Sequence, residues 1–199
     1  MPRKNEDLHG NAPDKSKVAL LLIDVINDLE FDTGHLLLPY ALTMAKKLAA
    51  LKARAYKAQV PVIYANDNFG RWRSDFSAQV RHSLREGARG APIVKLLQPE
   101  ARDYFVIKPK HSGFFSTPLE LLLNYLAVKN LIITGIAADN CVLFTANDAY
   151  IRDFNLWVPA DCVASISKKN NLLALKQMQQ LLKANISPSS KINFKKLKA

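Results

Sequence analysis

Apolar residues in this chain fall into short β-branched runs, separated by longer stretches with helical spacing. Val18-Ala-Leu-Leu-Leu-Ile-Asp24 is apolar without alternation, the pattern of a strand buried on both faces. Similar runs predict strands over 61–65, 104–107, 131–135 and 156–158. Between them, residues 40–59 place Leu42, Ala45, Leu48, Ala49 and Ala55 on one helical stripe. Further helices are predicted over 74–85, closed by Gly87, and over 139–152 and 172–182. Thr117-Pro-Leu-Glu120 reads as a helix start, with Thr117 as cap, Pro118 at the first position and Glu120 completing a capping box.

Strands alternating with helices imply parallel strands joined by right-handed crossovers, hence an α/β domain of three layers, α/β/α, around a mostly parallel central sheet. Ligands in such open sheets bind outside the carboxyl ends of the strands. Asp24 ends the first predicted strand, Asp67 follows the second, Lys108 ends the third and Cys141 follows the fourth. The topology therefore delivers four chemically capable side chains to one edge of the sheet.

Composition narrows the class. The 199 residues suit one domain, with a core expected over about 18–182 and flexible basic tails at both ends. Hydrophobic residues make up 49% and charged residues 23%, which excludes a disordered chain. No apolar run approaches bilayer length, and the first 17 residues lack the apolar stretch of a signal peptide, so a soluble, cytoplasmic protein without membrane association is expected. Cys141 and Cys162 do not make a disulfide framework. The formal charge of +11 raises nucleic acid as a partner, but no zinc finger, RNP-like motif or recognition helix accompanies it. A solvated basic surface is the simpler reading, and no nucleic-acid partner is expected. A noncatalytic basic binding module stands as the alternative from another class.

Several chemistries lack their signatures. Neither a Gly-rich phosphate cradle nor G-x-S-x-G occurs, and His9, His35, His82 and His111 show no metal-ligand spacing. Cys141, in Gly135-Ile-Ala-Ala-Asp-Asn-Cys-Val, lies between a buried strand and the start of a helix. There the helix dipole favours a thiolate and backbone N–H groups can hold an oxyanion. Spacing alone leaves Cys141 open between nucleophile and small core residue, Asp24 between acid/base and turn cap, and Lys108 between site cation and solvated lysine. Together they form a coherent set of nucleophile, acid/base and cation. Cys162 has no such partners and reads as core.

Three segments carry a resemblance. Leu20-Leu-Leu-Ile-Asp-Val-Ile-Asn-Asp28, Val106-Ile-Lys-Pro-Lys-His-Ser-Gly-Phe-Phe-Ser-Thr117 and Gly135-Ile-Ala-Ala-Asp-Asn-Cys-Val-Leu-Phe-Thr-Ala146 are similar, in this order, to the motifs of the isochorismatase-like cysteine hydrolases. That family includes nicotinamidases, N-carbamoylsarcosine amidases and isochorismatases, and its architecture is Rossmann-like. The resemblance implies a catalytic triad of Asp24, Lys108 and Cys141, with Lys110 as the rival lysine. It also implies a cis peptide between Ile136 and Ala137, and an oxyanion hole from the amides of Ala137 and Cys141. The implied reaction cleaves an amide bond of a small molecule through a Cys141 thioester, with vinyl ether hydrolysis of the isochorismatase type as the alternative.

No cofactor and no metal are expected. Family nicotinamidases carry an Asp-x-His zinc segment where this chain reads Asp67-Asn68-Phe69. Phe31, Asn66, Asp67, Trp72, Phe114 and Phe115 are the expected substrate-binding residues, although ordinary core is the simpler reading of each aromatic. The family implies a homodimer or homotetramer.

Overall fold

The computed structural model describes residues 15–70 and 75–198, so the N-terminal tail and Trp72 lie outside the described residues. Its strands are β1 (Val18–Ile23), β2 (Val62–Asp67), β3 (Tyr104–Lys108), β4 (Asn130–Ile136), β5 (Asn155–Trp157) and β6 (Val163–Ala164). The α-helices are α1 (Gly34–Lys57), α2 (Phe76–Ser83), α3 (Ala91–Leu96), α4 (Leu119–Tyr125), α5 (Leu143–Tyr150), α6 (Lys168–Leu182) and α7 (Phe194–Lys198). All strand pairings are parallel, in the order β3-β2-β1-β4-β5, and β6 pairs with the last residues of β4.

Every residue of β1 is buried, because helices cover both faces of the sheet. Val18, Leu20 and Leu22 pack with α1 residues such as Leu48 and Leu51, and with Ile93 and Val94 of α3. Ala19, Leu21 and Ile23 face the opposite layer, with Leu123 of α4, Ala149 of α5 and Met178 of α6. Helices change faces where the strand order reverses, between β1 and β4. A crevice at that switch point is where an open α/β sheet binds its ligand.

The five expected strands are present, β6 is an addition to them, and the other differences lie in the helices. Helix α1 starts at Gly34 rather than residue 40 and carries Pro39 inside. The proline marks a boundary in sequence, but near a helix start it sacrifices only one backbone bond. The expected capping box at Thr117 does not form: Pro118 is the N-cap and α4 begins at Leu119, while Thr117 Oγ1 accepts from the Leu119 amide and Glu120 binds Arg152 Nε at 2.7 Å. The C-terminal segment is not the loose tail its lysines predict. Ile192 and Phe194 join the core, Arg54 donates to the carbonyls of Ser189 and Ile192, and Asn130 Nδ2 donates to Leu197 O. Among the described residues no helix is long and apolar enough to cross a membrane.

Two backbone features bring strand ends together. Asp24 turns the chain out of β1 at φ +52°, a left-handed conformation that costs a non-glycine residue about 1 kcal/mol or more. Gly135 pairs with Ile23 at φ +111°, and a Cβ there would lie 2.1 Å from the Ile23 carbonyl oxygen. Only glycine lets β4 lie this close to β1. Gly135→Ala should therefore destabilise the protein by about 3 kcal/mol in denaturant unfolding. A loss below about 0.5 kcal/mol would mean that the strand ends separate without cost.

Candidate active site

Register fixes the first three side chains. Asp67 and Lys108 are paired residues of β2 and β3, and Asp24 follows directly on β1. The Asp67 amide donates to Asp24 Oδ1 at 2.7 Å, tying the ends of β1 and β2. The Lys108 ammonium is fully buried, 2.9 Å from Asp24 Oδ2 and 3.5 Å from Asp67 Oδ2. It also donates to the Lys110 carbonyl at 3.2 Å and lies 3.5 Å from Cys141 Sγ. The exposed Lys110 thus contributes its carbonyl, and Lys108 is the lysine at the thiol.

Cys141 arrives from the other side of the switch point. Beyond β4 the Ile136–Ala137 peptide is cis, and Ala138–Val142 forms a single π-helical turn that leads into α5. The Ala137 carbonyl accepts from the amides of Asn140 and Val142, which flank the cysteine. Asp139 braces this turn: its carboxylate accepts from Ser165 Oγ at 2.7 Å and from Asn170 Nδ2 at 2.9 Å.

The electrostatics correct one expectation. A thiol at a helix start is expected to be acidic, yet burial and the Asp24 charge push Cys141 up to about 12, against the pull of Lys108. Burial also raises Asp24 above the ordinary carboxylate value of 3.8, over opposing contributions from Lys108, Cys141 and the Asp67 amide. For Lys108 burial acts downward, but Asp24, Cys141 and Asp67 outweigh it and the pKa is raised. The Asp24 carboxyl, the Lys108 ammonium and the Cys141 thiol are thus in mutual contact, with Asp24 beside the S–H.

A cavity of about 390 Å³ opens beside the thiol. Phe31 lines it, as expected, together with Asn27, Thr33, Leu37, Asn140 and Ile166. Most of these lie outside the quoted motifs and have no signature of their own. Phe114 is core instead, packed between the Arg152 guanidinium and the Phe154 ring. Phe115 is exposed and is not among the described cavity walls. Asn66 is fully buried and donates to Ile26 O at 2.7 Å, which makes it a brace for the loop after β1. Asp67 splits between Lys108 and the Phe69 amide, the latter at 2.7 Å.

The zinc segment of family nicotinamidases does not fit here. Phe69 cannot ligate, and the downstream His82 is held by Asp28 at 3.0 Å. Among the described residues no three His, Cys, Asp or Glu side chains are grouped to hold a metal ion.

A family model described as "Isochorismatase domain" matches residues 18–188. The chain is 42% identical over 178 residues to the uncharacterized isochorismatase family protein YaaI of Bacillus subtilis (strain 168), covering 89% of this chain and 97% of that one. The crystal structure of N-carbamoylsarcosine amidase from Thermoplasma acidophilum superposes with a TM-score of 0.68 at 25% identity, covering 89% and 99% of the two chains. That of a pyrazinamidase/nicotinamidase from Streptococcus mutans UA159 superposes with a TM-score of 0.66 at 28% identity, covering 85% and 99%.

The two cysteines should react differently with iodoacetamide. Both thiols are pushed up to about 12, but Cys141 faces the cavity and Cys162 is fully buried. Peptide mass spectrometry should show Cys141 alkylated first, slowly near pH 7 and faster as pH rises toward that value. Rapid, pH-independent labelling of Cys141 would contradict the electrostatics, and equal labelling of both would contradict the difference in access.

Proposed function

The chain belongs to the isochorismatase family, and from that premise we propose that it hydrolyses an amide bond of a small molecule through a Cys141 thioester. The observation that carries this reading is the Lys108 ammonium held 2.9 Å from Asp24 and 3.5 Å from Cys141, at the wall of a cavity that both residues line. The likeness to an N-carbamoylsarcosine amidase and a pyrazinamidase/nicotinamidase supports C–N cleavage over vinyl ether hydrolysis. The described cavity walls carry the Asp24 and Asp139 carboxylates and no Lys or Arg, which favours an uncharged substrate over an anion. The +11 net charge then belongs to the surface.

With burial and the Asp24 charge pushing the thiol well above its ordinary value, free thiolate is scarce at neutral pH. Asp24 must therefore take the proton as the sulfur attacks the carbonyl, while Lys108 keeps the developing charges compensated. The carbonyl oxygen becomes an oxyanion facing the amides of Ala137 and Cys141. The protonated Asp24 returns its proton to the leaving amine nitrogen. The C–N bond breaks, the thioester remains on Cys141, and water then cleaves it to acid and thiol. Every step uses groups of the chain, the substrate and one water.

A panel of uncharged carboxamides and ureido compounds, assayed by ammonia release, tests the proposal. At least one should turn over, with the acyl adduct found on Cys141 in rapidly quenched samples. Cys141→Ala should lower that rate by at least about 10³-fold. An active Ala variant would overturn the thioester, and turnover of isochorismate with none of the amides would move the reading to vinyl ether chemistry.

A further inference from the structure

His111 belongs to none of the expected roles, yet it stands beside the reacting sulfur. Its Nδ1 lies 3.9 Å from Cys141 Sγ, and the residue is exposed on the β3–α4 loop. It is not among the walls of the substrate cavity, which Cys141 and Asp24 line from within. The thiol thus has Asp24 on its buried side and an imidazole on its solvent side.

This placement is built, not incidental. On one flank of His111, the Lys110 carbonyl accepts from the Lys108 ammonium at 3.2 Å. On the other, the Gly113 amide donates to Thr145 Oγ1 at 3.0 Å, and Thr145 Oγ1 donates to the Cys141 carbonyl at 2.7 Å. The loop is therefore tied to both the lysine and the cysteine of the site. The imidazole also rests against the Phe144 ring, with centroids 5.3 Å apart, which limits its rotation.

We propose that His111 is a further catalytic residue, the base that activates the water which hydrolyses the Cys141 thioester. The proposal rests on the reading that Cys141 carries an acyl group. A separation of 3.9 Å is long for a direct S–H···N bond but leaves space for a water near both the imidazole and the thioester carbonyl. Asp24 is less suited to this half of the cycle. It is almost wholly buried, whereas His111 is exposed to the solvent that supplies the water.

In the step, Nδ1 accepts a proton from water while the hydroxyl oxygen bonds to the thioester carbon. The tetrahedral intermediate collapses, the C–S bond breaks, and the sulfur leaves with the bonding pair. The imidazolium returns the proton to the sulfur, so water and thioester give carboxylic acid and thiol with nothing left over.

The test uses p-nitrophenyl acetate, whose leaving group needs no protonation, so that acetylation and deacetylation of Cys141 separate. His111→Phe keeps a ring against Phe144 and removes the base. Its burst of p-nitrophenol should match the wild type, its steady-state rate should fall about 100-fold, and acetyl-Cys141 should accumulate in the mass spectrum. In His111→Ala, added imidazole should restore the steady-state rate, which a packing role would not allow. Normal acetylation with unchanged deacetylation, or a loss without accumulated acetyl-enzyme and without rescue, would overturn the assignment to His111 alone. Absence of an acetyl adduct on Cys141 in the wild type and both variants would overturn the thioester reading with it.

Discussion

A fully buried ammonium constrains this structure more than any other group. Lys108 has no exposure to solvent, and an ion taken out of water costs several kcal/mol unless its partners are close and well placed. Asp24 at 2.9 Å, Asp67 at 3.5 Å and the Lys110 carbonyl supply that compensation. Their placement requires three strand ends to meet in one register. Asp67 sits opposite Lys108, the Asp67 amide grips Asp24, and Gly135 lets the fourth strand end close enough to bring Cys141 within 3.5 Å. The cation that balances the buried carboxylate is thereby the one that faces the sulfur.

The same burial sets the chemistry. A helix dipole is worth about 0.3–1 kcal/mol, less than one pKa unit, and it acts on Cys141 from a single π-helical turn. Desolvation and the Asp24 charge act more strongly and carry the thiol to about 12. On the proposed reading, the site is organised for proton transfer during attack rather than for a resident thiolate. That is a different design from a cysteine acidified by an open helix terminus.

Much of this was legible in the amino-acid sequence. Continuous apolar runs mark buried parallel strands because both faces of the sheet are covered, and the residue after each run lands at the carboxyl edge. Asp24, Lys108 and Cys141 follow from that geometry together with the motif resemblance, which also places the cis peptide after Ile136. Other features carry no local signal. Helix α3 and strand β6 are too short for periodicity to register, and Pro39 reads as a boundary although α1 runs through it. The acidity of Cys141 depends on burial and on a carboxylate 117 positions earlier in the chain, neither visible from its neighbours. Phe31 and Phe114 are equally aromatic, and Phe114 alone lies inside a motif, yet Phe31 lines the cavity and Phe114 fills the core. Side-chain direction on a loop is decided by tertiary packing. His111 lay inside a quoted motif, but only the fold reveals its distance from the sulfur.

The central claim is that Asp24, Lys108 and Cys141 act as one proton-transfer unit, and a double-mutant cycle on kcat/KM measures it directly. Asp24→Asn and Lys108→Met should each cause a large loss, and the double variant should be no more than a few-fold worse than the weaker single one. Losses that multiply independently would contradict the claim and assign at least one of the two residues to structure alone.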